Sequence, residues 1–368
     1  MPQIAGLRGV LPESPKSSTG ARDPIRAVYR YQLAFDDSSG RTVARKMIVC
    51  AVRLEPWSEA IVRPTEATAP AGRAAALAAL RTTRTVTQPV LAGYREPSGE
   101  VERLFRRLDS EPVTLEVATP DGVKHRITRV QNAELFGKLR RVLAPIRLNV
   151  LDGHDRYEAM LAYRDELNAK APLAQYSSAN YALMALVSLD DPALFVAARH
   201  RVIRNAPPSA TVLAAAKPYF FLDKLAGAAK DVAKQQAALA DNATHQPAFV
   251  ITWAGEPDAW KLTLSGDISP VSEGVQVDRA LQKYDPVVVD QLFLAKAMPN
   301  AKVETVVRAD EALSAKADAV ILMRPLTHEQ IRHVVDIGQV LPAGSIAYVP
   351  PLHPGLVSAV IDPDEDLV

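Results

Sequence analysis

The sequence predicts an α/β (α+β) protein built of mixed sheets with interspersed helices. Apolar runs of strand length recur along the chain, and Ala- and Leu-rich runs of helix length stand between them. The segment Leu148–Leu161 joins the two kinds of run through one tight turn. No internal repeat stands out.

The elements follow in order. Residues Leu11–Asp23, rich in Pro, Ser, Gly and charge, predict a mobile loop. Ala27–Phe35 and Thr42–Leu54 predict a hairpin across Asp36–Arg41, whose alternating Tyr29, Tyr31 and Phe35 mark a core face rather than a partner surface. Ala71–Arg84 predicts a helix and Val86–Ala92 a short strand. Gly99–Leu108 predicts a further helix, and Val113–Ala118 with Lys124–Val130 paired strands around Pro120-Asp121-Gly122. A helix over Asn132–Leu143 leads into the junction.

Beyond it, Ala171–Ser178 predicts a loop, and Asn180–Leu189 is a continuous apolar run that fits a buried strand or a short helix. Phe195–Ile203 predicts a strand. Ala210–Leu225 and Ala228–Leu239 predict helices, and Phe249–Trp253 with Trp260–Leu264 a second hairpin. The last third predicts a helix over Val287–Met298, strands at Val303–Val307 and Ala319–Met323, a helix over Thr327–Val335 and strands after Ser345. Pro207-Pro208 marks the boundary between an N-terminal lobe, 1–206, and a C-terminal α/β lobe, 207–368, unless the whole is one continuous domain.

At the junction, Ile146–Leu151 predicts a buried strand, Asp152-Gly153 a tight exit, and Tyr157, Met160, Leu161 and Tyr163 the apolar stripe of a helix. Such a turn directs unpaired backbone amides and the positive end of a helix dipole at one point, which suits a phosphate or carboxylate. A second reading stands beside it: Asp152 caps the helix and Asp155 completes a variant capping box.

The 368 residues are 48% hydrophobic and 23% charged, with a net charge of +1. That composition excludes a largely disordered chain, and the interleaved charges disfavour nucleic acid as a partner. Cys50 is the only cysteine and sits in an apolar run, so it predicts a core thiol and a reducing, cytoplasmic setting. No signal segment and no stretch of about 18 apolar residues is present, so no membrane is expected.

There is no phosphate-loop motif and no dinucleotide fingerprint. His328 and His333 are five residues apart, turned about 140° from one another on a helix, so they do not make a zinc pair. Arg199-His200-Arg201 alternates on a strand, with the arginines on one face. It reads either as a phosphate contact or as a solvated strand end.

These motifs together resemble the bacterial and archaeal family filed as domain of unknown function ten-fifteen. Its Asp-Gly-His-His-Arg-Tyr-Glu segment is matched by Asp152-Gly153-His154-Asp155-Arg156-Tyr157-Glu158. Asn180-Tyr181 through Asp190-Asp191, then His200-Arg201, match two further stretches, and Met323-Arg324-Pro325 through Gly355-Leu356-Val357 fit the closing pattern. The resemblance implies a core like that of the ParB/sulfiredoxin-like fold and kinship with an archaeal kinase of free serine. It further implies binding of a nucleotide, ATP or ADP, with Mg²⁺, and phosphoryl transfer to a small hydroxyl metabolite. The alternative is a degenerate binding or regulatory relative, and a protein partner or homo-oligomer is compatible with either.

The roles carried over by the resemblance are catalytic for Asp152, His154 and Glu158. Nucleotide contact falls to Gly153, Asp155, Arg156, His200 and Arg201. Asp155 departs from the family's second histidine and sets a second carboxylate beside an anion site, a repulsion of about 1 kcal/mol at 4 Å in water and roughly 4 at an effective dielectric of 20. A bridging Mg²⁺ would reverse the sign. The family's histidine before Glu66 is Thr65, two C-terminal lysines fall at Gly344 and Pro351, and its Pro-Pro-Tyr-Asp segment has no counterpart after Leu7-Arg8-Gly9.

Overall fold

The computed structural model describes residues 1–12, 20–37, 39–108, 111–241 and 245–367. Residues 13–19, the middle of the expected N-terminal loop, lie outside them. The architecture is mixed α/β, with several sheets and interspersed helices.

Two compact units divide the chain: residues 1–195 together with 348–368, and residues 196–347. The division differs from the boundary expected at Pro207-Pro208. The chain leaves the first unit after Phe195, within the strand expected over Phe195–Ile203, which is broken into Phe195–Ala197 and His200–Arg204. The last 21 residues return to the first unit, a long-range pairing that local composition does not encode.

The first unit is built on a nine-stranded sheet. Its strands are β1 (Ile4–Ala5), β2 (Val28–Asp36), β3 (Thr42–Arg53), β4 (Val62–Pro64), β5 (Val90–Tyr94), β6 (Leu115–Ala118), β7 (Lys124–Val130), β8 (Leu148–Asp152) and β9 (Tyr181–Ser188). The order is β4-β8-β5-β9-β3-β2-β7-β6, with β1 also on β3. Strand β8 is parallel to β4 and antiparallel to β5, while β5 is parallel to β9. Strand β9 lies between β3 and β5 with seven of its eight residues buried. That resolves the strand-or-helix ambiguity of its sequence: an inner strand covered on both faces has no polar alternation to show.

Helices α1 (Pro70–Thr83), α2 (Glu100–Arg107), α3 (Ala133–Leu143) and α4 (His154–Lys170) follow the expected segments closely. Asn132 caps α3 through its side chain, which accepts from the Leu135 amide. Tyr29 and Tyr31 are buried, so the hairpin face packs inward as expected. Cys50 is buried and its thiol is pushed well up by desolvation, which makes it a core residue.

The second unit carries a six-stranded antiparallel sheet of β10 (His200–Arg204), β11 (Phe220–Leu225), β12 (Ala248–Trp253), β13 (Ala259–Leu264), β14 (Lys302–Val306) and β15 (Ala319–Leu322), in the order β11-β13-β12-β15-β10-β14. The helix expected over Ala210–Leu225 is only α5 (Ser209–Ala216), followed by β11. Pro218 explains the change: Lys217 still has helical backbone angles, but Pro218 has no amide to continue the helix ladder, and the rest of the run joins the sheet as an edge strand. A helical segment over 285–297 includes a π-helical stretch, Val288–Leu294, and Thr327 with Gln330 closes a capping box on the helix His328–Ile337. No described helix is long and apolar enough to cross a membrane.

Candidate functional site at the β8–α4 turn

Strand β8 is buried from Leu148 to Leu151 and delivers Asp152 half-exposed at its end. Gly153 turns the chain with φ +88°, in the left-handed region where only glycine sits without strain, and α4 begins at the next residue. The helix therefore starts on a residue with no side-chain cap, which overturns the reading of Asp152 as its cap.

Arg156 lies on the first turn of α4 and folds back over Gly153. A Cβ at position 153 would lie 2.5 Å from Arg156 Nη2 and 2.9 Å from its Nε. Glycine is thus favoured there by its φ, and any side chain would displace the Arg156 guanidinium from its place over the turn. Nη2 donates to Asp152 Oδ2 at 2.8 Å, and the pair is partly open, with side chains 24% and 40% exposed. Arg156 Nε is buried without a hydrogen-bond partner among the described residues. A buried donor left unmade costs about 1–3 kcal/mol, so the group is poised for an acceptor.

Asp155 Oδ1 accepts from the Arg156 amide at 2.9 Å. Its other oxygen faces the first turn of α1, where a Cβ on Gly72 would stand 3.0 Å from Oδ2. The carboxylate thus fills part of the anion-binding capacity of the helix terminus with the protein's own charge. The amides of His154 and Asp155 remain without hydrogen bonds among the described residues.

His154 points inward. It is buried, and its Nε2 accepts from the backbone amides of Thr65 at 3.1 Å and Glu66 at 3.2 Å. The ring proton therefore sits on Nδ1. Burial pushes its pKa down to about 4, so the imidazole is neutral near pH 7. Thr65 completes the arrangement by donating from Oγ1 to the Val150 carbonyl at 2.7 Å. Glu158, one turn further along α4, accepts from Trp57 Nε1 at 2.9 Å and Thr68 Oγ1 at 2.8 Å, with Arg73 Nε 3.6 Å away. Trp57 stacks on Tyr157 at 4.4 Å, and the Tyr157 hydroxyl donates to the Glu55 carbonyl while accepting from the Glu55 amide.

The structure therefore brings Asp152, Gly153, Asp155 and Arg156 together on an open turn and sets His154 and Glu158 behind it, holding the segment 55–68 against α4. Thr65, Glu66 and Tyr348 stand beside this turn and were not expected there. Glu66 is a buried carboxylate whose amide meets His154. Tyr348 belongs to the same unit and is buried, with a hydroxyl that has no partner among the described residues. Desolvation, Glu66 and Asp152 push that hydroxyl's pKa far up, and Arg45 opposes them. The sequence signal for Glu66 is its match to a family segment, and for Thr65 its replacement of that segment's histidine; Tyr348 has none.

His200 and Arg201 belong to the second unit. Arg201 is 1% exposed, and its guanidinium donates to Asp290 at 2.9 and 2.8 Å and to the carbonyls of Arg199 and Gly344 at 2.9 and 3.0 Å. His200 Nδ1 accepts from the Met323 amide, and burial first, then Arg201, push its pKa down to about 4. Arg199 donates to the Ile346 carbonyl and to Thr305 Oγ1. The basic cluster is neither a solvated strand end nor an open phosphate cradle; its hydrogen bonds lie within its own unit. Among the described residues, no group of three or more His, Cys, Asp and Glu is arranged to hold a metal ion.

A family model described as Protein of unknown function (DUF1015) matches residues 16–282. No curated protein matches the chain. Among solved structures, a conserved hypothetical protein from Pyrococcus furiosus is similar at 11% identity, covering 80% of this chain and 90% of its own, with a TM-score of 0.41. SbnI with a C-terminal truncation, from Staphylococcus aureus, is similar at 11% identity over 86% of this chain and 90% of its own, TM-score 0.43. A free serine kinase in complex with AMP is similar at 12% identity over 83% and 90%, TM-score 0.43.

Proposed function

The chain belongs to the DUF1015 family, and from that premise we propose that it binds the phosphate of a nucleotide at the turn between β8 and α4. The observation that carries this reading is Arg156, folded over Gly153 with a buried Nε that lacks an acceptor. The unbonded amides of His154 and Asp155 and the dipole of α4 add to it. An arginine presents a planar fork of donors that matches phosphate geometry.

The carboxylates fit a magnesium ion shared with that phosphate. Each of Asp152 and Asp155 has one oxygen engaged, with Arg156 Nη2 and the Arg156 amide, which leaves the other for a cation. Magnesium commonly takes one or two carboxylates and completes its shell with phosphate oxygens and water. When bound it supplies charge neutralisation, which offsets the second carboxylate.

Phosphoryl transfer to a small hydroxyl compound such as serine is the finer reading, and it rests on the motif's resemblance. In this chain the residue best placed to orient a hydroxyl is Asp152, which stands on the open turn, whereas His154 Nε2 and Glu158 Oε1 already have partners within the fold. That same commitment supports the second reading, a regulator that binds nucleotide without turnover.

Thermal unfolding with ATP, ADP and AMP, each with and without Mg²⁺, tests the pocket. A ligand present at about 100 times its dissociation constant stabilises by roughly 2.7 kcal/mol. Arg156→Ala is expected to weaken binding at least tenfold, about 1.4 kcal/mol. No shift with any nucleotide would overturn the reading. Product analysis after incubation with ATP or ADP and serine then separates turnover from binding alone.

A further inference from the structure

Two histidines from distant parts of the chain meet within the first unit. His125 stands on β7 directly opposite Leu33 of β2, so Tyr31, two residues along β2, shares its face of the sheet. His353 comes from the segment that returns to this unit after residue 347. Its amide donates to the Tyr31 hydroxyl at 3.2 Å, and that hydroxyl lies 2.7 Å from His125 Nδ1. The two imidazole rings stand 5.4 Å apart, centre to centre, at an interplanar angle of 66°.

The fold holds both rings by the same nitrogen. The Tyr31 hydroxyl holds His125 Nδ1, and the Pro354 carbonyl accepts from His353 Nδ1 at 2.7 Å. Because a carbonyl only accepts, the His353 proton sits on Nδ1 and its Nε2 carries a lone pair. A hydroxyl both donates and accepts, so it lets His125 present a lone pair at Nε2 as well. Neither Nε2 has a hydrogen-bond partner among the described residues, and neither is sealed from solvent. The chain is fixed on either side of His353, where Gln88 Nε2 donates to the Leu352 carbonyl at 2.9 Å and the Gly355 amide to the Thr87 carbonyl at 2.7 Å.

A ring anchored through Nδ1 with Nε2 bare is the arrangement of a metal-ligating histidine, whose second hydrogen bond fixes tautomer and direction. Metal–nitrogen bonds of about 2.0–2.1 Å at a tetrahedral ion set two such ring centres about 5–5.5 Å apart. The observed separation falls within that range. Burial first, then His353, push the His125 pKa down to about 4, so near pH 7 no proton competes for the ring. Asp121, on the turn that leads into β7, is the carboxylate whose charge acts on it. Imidazole suits zinc, nickel and copper, whereas magnesium takes oxygen ligands.

We propose that His125 and His353 bind one divalent transition-metal ion of the zinc, nickel and copper class through their Nε2 atoms, with water completing its shell, and that the ion clips the C-terminal return to β7. No third His, Cys, Asp or Glu is arranged with them among the described residues, so the site keeps open positions and exchanges its metal. It is independent of the nucleotide reading.

Calorimetric titration of the full, metal-free chain with ZnCl₂ tests it, with MgCl₂ as the oxygen-preferring control. The expected result is zinc binding that is weakened about tenfold or more by His353→Ala and by His125→Gln. The double substitution His328→Ala with His333→Ala, which removes two exposed histidines elsewhere, should leave it unchanged. His353 is half-buried, so its substitution carries the test if His125→Gln does not fold. Zinc should also raise the unfolding temperature of the wild type more than that of His353→Ala, since a ligand of the folded state stabilises it. Absence of zinc binding, displacement of zinc by equimolar Mg²⁺, equal binding by the wild type and every folded single variant, or loss of binding in the His328 and His333 double variant would each overturn the proposal.

Discussion

Two arginines, one in each unit, are paired with aspartates and differ in what surrounds the pair. Arg201 is sealed: 1% exposed, bidentate on Asp290, with its remaining bonds to two backbone carbonyls. Arg156 is open: a single bond to Asp152, a side chain 24% exposed, and one donor with no acceptor. Both carry the same charge, and both belong to segments that match a family motif. The difference teaches that a motif arginine is a ligand candidate only where the fold leaves it a donor; where the fold takes the donors, it serves stability.

The sharpest way to break this comparison is to remove each guanidinium. Arg201→Ala strands Asp290 and two carbonyls, and is expected to destabilise the protein by about 3–5 kcal/mol, as loss of one partner from a buried pair does. Urea unfolding measures it, and a loss below 1 kcal/mol would mean the clamp is not structural.

Next in size is the pH response of His154, which ties the turn to the segment at Thr65 and Glu66. Its folded pKa, about 4, lies below the unfolded value near 6.5, so the unfolded chain takes the proton more readily. Its contribution is full above pH 6.5 and is lost as pH falls towards 4, at up to about 1.4 kcal/mol per pH unit. His125 and His200 are also pushed down to about 4 and act in the same direction. The difference between wild type and His154→Gln, followed by denaturant midpoints from pH 7 to 4, isolates the one ring; parallel curves would show that it is not buried neutral.

Arg156→Ala gives the counterpart to the first experiment. Its partly exposed pair is worth no more than about 1 kcal/mol, so unfolding should hardly change while nucleotide binding falls at least tenfold. Equal losses of stability from Arg156→Ala and Arg201→Ala would erase the distinction between them. The smallest effect concerns Asp155. Replacing it by histidine removes the carboxylate from the helix terminus, and nucleotide binding should then depend less on Mg²⁺ than in the wild type. The same metal dependence in both proteins would remove the bridging role.

Much of this was legible in advance. The β8–α4 turn, the paired strands at 115–130, the helix α3 and the hairpin at 248–264 are short-range objects, written in periodicity, Pro120-Asp121-Gly122 and Asp152-Gly153. Length misled at Ala210–Leu225, where one proline outweighed a helix-forming composition.

The sequence by itself determined the class of fold, most of the elements, the core role of Cys50, and a turn at Gly153 with its neighbouring charges. Only the tertiary structure decided which charged and polar groups are free. Thr65 and His154 meet across 89 residues, Trp57 and Glu158 across 101, and Arg201 and Asp290 across 89. Periodicity reports what a residue's own element buries, whereas the partner of a hydrogen bond is fixed by where distant elements come to rest.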